Sequence, residues 1–222
     1  PGVNASNTGG SRNERLILVR GFNRFQAPLS IDGVRVFLPA DNRLDYGRFL
    51  TSDIAEVQVA KGYASVLDGP DGMGGAINLV TRKPARPIEA QVQATLNLGR
   101  AVDYAGYNVA GLIGTRQDKY YAQASYARND TDHWDLAGGF VPTPSENGGR
   151  RDLSAARDWR VNLKAGFTPN VTDEYSISYT KQSGMKLAPL STTDPAAIQR
   201  AWTWPYWDVS SVYFLSTTAL GE

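Results

Sequence analysis

Glu89-Ala-Gln-Val-Gln-Ala-Thr-Leu-Asn-Leu98 is the stretch on which the fold turns. Ala90, Val92, Ala94, Leu96 and Leu98 share one parity; Glu89, Gln91, Gln93, Thr95 and Asn97 share the other. A faultless period of two describes a pleated strand with one apolar and one polar face. The same grammar returns downstream. Trp159, Val161, Leu163, Ala165 and Phe167 oppose Arg160, Asn162, Lys164, Gly166 and Thr168, and Tyr175, Ile177 and Tyr179 oppose Glu174, Ser176, Ser178 and Thr180. Weaker versions run through 107–113, 120–126 and 212–216. Each segment is close to the ~9–11 residues with which a tilted strand crosses hydrocarbon. A soluble β-sandwich shows the same alternation, with one face on a dry core and one in water. Periodicity alone leaves both architectures open.

The connections separate them. Gly99–Asp103, Thr115–Lys119 and Pro169–Asp173 are short, whereas Asp130–Arg157 runs for 28 residues and Met185–Val209 for 25. If the chain enters from the periplasmic side at Glu89, every short turn after the first strand is expected on that side, and both long loops outside. That is the rhythm of transmembrane barrels. Six strands do not close a pore-sized barrel, which needs roughly eight or more and about 22 in plugged transporters. The strands therefore read as the first part of a longer wall, with Ser211–Glu222 as a strand cut partway.

Bulk composition agrees without deciding. The 222 residues carry 23 Lys and Arg against 22 Asp and Glu, a net charge of +1 that offers no basic face to nucleic acid. There is no Cys, so disulfides, thiolate metal sites and cysteine nucleophiles are out. No apolar run approaches the ~18–20 residues of a spanning helix. The start at Pro1-Gly2 has neither the charge nor the apolar stretch of a signal peptide. Tyr (11) and Trp (5) together outnumber Phe (7), which suits a membrane–water boundary and a carbohydrate-binding surface equally.

Residues 1–87 follow other rules. Pro1 to Asn13 is polar and Gly-rich and reads as a loop or frayed start. Strand-like runs follow at 15–20, 29–37, 54–60 and 75–81, with Asp32-Gly33 as a tight hairpin turn inside the second. Gly69-Pro70-Asp71-Gly72 and Gly74-Gly75 mark sharp turns, and Lys83-Pro84-Ala85-Arg86-Pro87 a stiff boundary. The expected fold is mainly β. A small α+β domain spans 1–87, and the first antiparallel strands of a transmembrane barrel, about six, span 88–222.

Six blocks appear in order: Pro1-Gly-Val, Arg20-Gly-Phe22, Ile31-Asp-Gly-Val34, Ile54-Ala-Glu-Val-Gln-Val-Ala-Lys-Gly62, Ala64-Ser-Val-Leu-Asp-Gly69 and Gly74-Gly-Ala-Ile-Asn-Leu-Val-Thr-Arg-Lys-Pro84. Together they resemble the plug of TonB-dependent receptors, from its middle to its C-terminal end, and residues 88–222 resemble the first strands of the family's barrel. Tyr63 stands where the family often has Pro, which implies a less rigid turn. The segment with the TonB box, the first part of the plug and most of the barrel are not in these residues.

The resemblance implies a bacterial outer-membrane location and active uptake. A ligand binds above the plug, and TonB delivers the energy that rearranges the plug. The partners it implies are TonB, a ferric siderophore or similar nutrient, and outer-membrane lipid, with no nucleic acid. No bond of the ligand is made or broken, so no enzyme activity and no cofactor are expected. Trp202-Thr-Trp-Pro-Tyr-Trp-Asp208 with Ser211-Val-Tyr-Phe214 is similar to siderophore-type members. The alternatives are receptors for cobalamin, haem or oligosaccharide, a passive porin-like or structural barrel, and a soluble carbohydrate-binding or enzymatic β domain.

The resemblance places Arg20, Glu56, Lys61 and Arg82 as candidates for ionic contacts between plug and barrel. Ordinary sheet-edge charges are an equal reading. Gly33, Gly62, Gly69, Gly74 and Gly75 read as turn glycines. Gly72-x-Gly74-Gly75 lacks the Lys-Ser/Thr of a phosphate loop. Trp202, Trp204 and Tyr206 are ligand-contact candidates on the extracellular side, against a role as an interfacial aromatic belt that suits Trp207 better. Asp194-Pro195 reads as the cap of a short helix. His133, the one histidine, lies among Asp130, Asp132 and Asp135; it reads as a solvated loop residue, and no metal ligand is expected.

Overall fold

A computed structural model describes residues 2–7, 13–39, 41–62, 65 and 68–220. Pro1, Ala40, Tyr63, Ala64, Val66 and Leu67 lie outside the described residues, as do 8–12 and 221–222. The expectations placed on Tyr63, and on half of the Ala64–Gly69 block, fall there. The chain divides into two compact units, Pro1–Arg82 and Lys83–Glu222. Lys83–Pro87 thus groups with the second. No helix among the described residues is long and apolar enough to cross a membrane.

The first unit holds β1 (Val3–Asn7), β2 (Arg15–Val19), β3 (Leu29–Ile31), β4 (Val34–Arg35), β5 (Ile54–Lys61) and β6 (Gly75–Thr81). The expected frayed start is corrected in part: Val3–Asn7 is a strand, antiparallel to β2 from Val3↔Val19 to Asn7↔Arg15. Its side chains are all exposed, so backbone pairing rather than burial holds it. The other strands form one sheet in the order β4-β3-β6-β5, with β3 parallel to β6 and the other pairs antiparallel.

Asp32 (φ 50°) and Gly33 (φ 81°) make the two-residue β3–β4 turn, in which both central residues need positive φ. The Asp32 carboxylate also accepts from Thr81 N at 2.8 Å and Thr81 Oγ1 at 2.7 Å, tying the turn to the end of β6. Strand β6 is the buried centre, with Ile77 and Leu79 packed in a core that includes Val19, Ala27, Leu29 and Leu44. Strand β5 is a largely exposed edge. Arg24 and Glu14 form a buried ion pair at 2.8 Å, and Arg24 also donates to Leu44 O at 2.7 Å. The helical content described in this unit is one 3-10 turn at Tyr46–Arg48, capped by Asp45.

The second unit holds β7 (Glu89–Leu98), β8 (Tyr104–Arg116), β9 (Tyr120–Thr131), β10 (Ala156–Phe167), β11 (Glu174–Ala188), β12 (Trp202–Trp204) and β13 (Val209–Thr217). Chain neighbours from β7 to β11 pair antiparallel. Strand β11 is shared: Glu174–Gln182 pair with β13, and Lys186–Ala188 with β12. The six expected strands are all present.

Several strands run past the expected length, with 12 residues in β9 and 15 in β11. The additions are polar ends such as Asn129, Asp130, Lys181 and Lys186. Pairing continues where apolar alternation has stopped, because backbone hydrogen bonds do not need an apolar face. The β8–β9 turn shrinks accordingly to Gln117–Lys119. One expectation about sidedness also fails. The β7–β8 turn at Gly99–Asp103 lies at the same end of the strands as the two long loops, since β7 and β9 run in the same direction.

Register makes the two faces explicit. Ala90, Ile113, Ala124, Leu163, Tyr179 and Val212 form one row across six strands, and Gln91, Leu112, Ser125, Asn162, Thr180 and Ser211 the next. Leu163 is 46% exposed, whereas its neighbour Asn162 is 0% exposed and donates through Nδ2 to Thr180 Oγ1 at 2.7 Å. On β10, Asp158, Arg160, Asn162 and Lys164 are buried while Leu163 and Phe167 are exposed. On β11, Ser176, Ser178, Thr180 and Gln182 are buried while Ile177 and Tyr179 are exposed. The burial is the reverse of a sheet with an oily face on a dry core.

Near the start of this unit Tyr121, 1% exposed, lies opposite Gly166 on the adjacent strand. A Cβ at Gly166 would overlap its ring. The phenol donates to Glu174 Oε1 at 2.6 Å, and Lys83 Nζ reaches the same oxygen at 2.6 Å.

Candidate functional site

The end of the sheet that carries the long loops collects the candidate binding groups. Trp202 and Trp204 do not sit in an irregular loop. They form β12, with Trp202 opposite Ala188 and Trp204 opposite Lys186. Cross-strand partners point to the same side of a sheet. Ala188 and Lys186 continue the buried polar row of Thr180 and Gln182, so Trp202 and Trp204 belong to that face. Tyr206 follows in irregular chain and is 78% exposed; Trp207 is half-buried. The short helix expected after Asp194 is a single 3-10 turn at Ala196–Ile198, closed by Ile198 N donating to Pro195 O at 3.0 Å.

His133 is not solvated, which corrects the sequence reading. It is 6% exposed, at the start of the β9–β10 loop. Its Nδ1 lies 3.0 Å from Asp132 Oδ2. Its Nε2 faces Asp103 Oδ2 at 3.7 Å and Asp135 Oδ1 at 3.8 Å. Asp130 turns away to Arg128 at 3.1 Å and Arg157 at 3.4 Å.

Asp103 was missing from the sequence reading because it belongs to another turn, 30 residues earlier. The readable signal was topological: β8 is the common neighbour of β7 and β9, so its upstream turn must lie beside the next loop at that end. The Arg150 guanidinium, hydrogen-bonded to Asp103, holds that carboxyl below the usual carboxylate range. Arg100 N donates to Asp135 Oδ2.

The four charges assigned to plug–barrel contacts are divided between the two ends of the β5–β6 pair. Lys61 sits opposite Gly75 at one end, and Arg20 Nη1 lies 3.7 Å from where a Cβ on the adjacent Gly62 would be. Glu56, opposite Val80, and Arg82, whose N–H donates to Asp53 O at 2.8 Å, are at the other. Arg20 and Glu56 are exposed, and Lys61 and Arg82 have partners of their own. Of the turn glycines, Gly33, Gly62, Gly69 and Gly75 have positive φ. Gly74 is required by space: a Cβ there would overlap the Phe22 side chain.

A small mixed domain followed by a sheet that buries its polar face and exposes its apolar one defines the class: a barrel-type outer-membrane protein with an N-terminal plug. Residues 1–76 match the family model described as TonB-dependent Receptor Plug Domain. Over those residues the chain matches the plug of TonB-dependent receptors, and the antiparallel strands that follow have the fold of the first wall strands in such receptors.

Among curated relatives it is 26% identical over 181 residues to the vitamin B12 transporter BtuB of Vibrio vulnificus, covering 80% of this chain and 27% of that protein. It is 24% identical over 209 residues to the ferric enterobactin receptor PirA of Pseudomonas aeruginosa, covering 83% of this chain and 27% of that protein. The FrpB iron transporter of Neisseria meningitidis has the same fold over 84% of this chain and 28% of its own, with a TM-score of 0.65 at 17% identity. The chain thus spans about a quarter of the length of the proteins it matches.

Proposed function

We propose that this chain is the plug and first wall strands of a receptor that binds a ferric siderophore outside the cell and imports it with energy delivered by TonB. The observation that carries the reading is the reversed burial of the second unit next to a plug-family domain. A passive pore has no use for a folded stopper, and a soluble domain does not expose Leu163, Ile177 and Phe167 on one face while burying Asn162 and Lys164 on the other.

Trp202 and Trp204, on the face of Lys186, suit an anionic ligand that bears flat catecholate rings: the indoles supply stacking area and an ammonium supplies charge. In this reading Arg20, Glu56, Lys61 and Arg82 hold the plug against the wall until TonB acts. Such ion pairs are individually weak but bias a switch. A relative named a ferric enterobactin receptor supports the siderophore class; one named a vitamin B12 transporter makes cobalamin the second reading.

The test is uptake of radiolabelled iron from a panel of ferric siderophores. The intact receptor is expressed in an iron-starved strain lacking its own receptors, with and without TonB. Import of at least one chelate only in the presence of TonB is expected, and Trp202→Ala should weaken its binding by about 0.5–1.5 kcal/mol. Equal import without TonB would sink the reading, and import of labelled cobalamin with no ferric chelate would replace it by the second.

A further inference from the structure

We propose that Asp103, His133 and Asp135 bind one divalent transition-metal ion of the zinc class, which pins the β7–β8 turn to the β9–β10 loop. The three residues bring one donor atom each to within 4.8 Å of one another. His133 is more than nine-tenths buried, and its Nε2 has no hydrogen-bond partner among the described residues. Buried ring nitrogens are ordinarily paired, so an orphan needs an explanation.

The surroundings supply one. Asp132 accepts at Nδ1, which makes that nitrogen the protonated one and turns the lone pair of Nε2 toward Asp103 and Asp135. A carboxylate behind a ligating imidazole is the usual way its orientation and tautomer are fixed. The gaps from Nε2 to the two carboxylate oxygens, 3.7 and 3.8 Å, are too long for hydrogen bonds. They are close to the separation of two ligand atoms that share one ion at about 2.0–2.2 Å. Arg150 offsets the charge of Asp103, and an ion between the three atoms would draw in Asp135 Oδ1 and the Nε2 lone pair as well.

The carboxylates are held from outside. Arg150 donates to Asp103 Oδ2, the oxygen that also faces Nε2, and Arg100 N donates to Asp135 Oδ2, leaving Oδ1 to face it. Gly99 leaves the space they occupy: a Cβ there would overlap the Asp103 carboxylate and come within 2.9 Å of Asp135 Oδ2. One imidazole and two carboxylates suit zinc and its neighbours, whereas calcium takes six to eight oxygens. The ion would close a 30-residue span between two loops at the outer end of the wall, where little apolar packing holds them.

The test uses the intact, tag-free receptor in detergent, stripped with a chelator and titrated with Co²⁺. One equivalent should bind with visible d–d absorption and be displaced by Zn²⁺. Zn²⁺ should also slow proteolysis within residues 136–152. His133→Gln and Asp135→Asn should each lower Co²⁺ affinity by about tenfold or more. Gly99→Ala, which keeps every donor but displaces the carboxylates, should also lower it. Asp135→Asn lies at the outer edge of the site and guards against a folding defect at buried His133. No stoichiometric Co²⁺ binding, undiminished affinity in both donor variants, or equal displacement by Ca²⁺ would overturn the proposal. The readout needs neither siderophore nor TonB, so it stands apart from the uptake experiment.

Discussion

Gly75 and Gly33 both sit at positive φ, 130° and 81°, but for different reasons. A Cβ at Gly75 would run into the backbone carbonyl of Ala60 on the paired strand, while one at Gly33 meets nothing within 4 Å. Gly33→Ala should therefore cost only the left-handed backbone penalty of about 1–2 kcal/mol. Gly75→Ala adds a clash with main chain that cannot move without breaking the sheet, and should cost more than about 3 kcal/mol. Protease-resistance midpoints in urea for the two variants check the order. A Gly75→Ala variant as stable as Gly33→Ala would contradict the close approach of β5 and β6. Gly33 is legible in the sequence as a turn residue, whereas Gly75, read as one too, opens strand β6. The difference between them is not legible, because it depends on what lies across the sheet. The same holds for His133, whose neighbours in the sequence are acidic but whose Nε2 also faces Asp103, from a separate turn.

Among the elements, strands with clean alternation were readable nearly to the residue. Glu89–Leu98 is β7 as read, and the Asp32-Gly33 hairpin is where its turn chemistry places it. Two strands escaped for physical reasons. Val3–Asn7 pairs through its backbone with every side chain in solvent, so it leaves no apolar period to detect. Trp202–Trp204 is three residues long and owes its place to the far end of β11.

The parity of each strand was visible, but which parity meets water was not. Pairing register aligns Leu163 with Ala124 and Tyr179 in one row, and burial separates that row from the one through Asn162. Leu163→Arg should cost about 2–4 kcal/mol in the folding equilibrium of the receptor in lipid, if this face meets hydrocarbon at mid-depth. Asn162→Leu, on the opposite face, should lose the bond to Thr180 but no lipid contact, for about 1 kcal/mol. A negligible cost for Leu163→Arg would mean that the outward row does not touch the bilayer.

For the whole molecule, the two units follow opposite rules of solubility. The first keeps Leu29, Leu44 and Ile77 inside, as a water-soluble domain does. The second exposes Val92, Ile113, Leu163, Ile177 and Val212 along one face. The receptor should stay monodisperse in detergent and aggregate when it is removed, because of the exposed apolar area. Light scattering across detergent dialysis reads this directly. A particle that remains single in plain buffer would be incompatible with the orientation of the faces described above.

Alternation has a further consequence before any of this structure exists. A strand whose oily groups come at every second position is amphipathic only while it is pleated; as a loose polymer it is, on average, a polar chain. None of the described strands approaches the ~18 consecutive apolar residues that lodge in a bilayer as a helix. Such a strand can travel through water extended and become greasy only on arrival, when its neighbours zip up beside it.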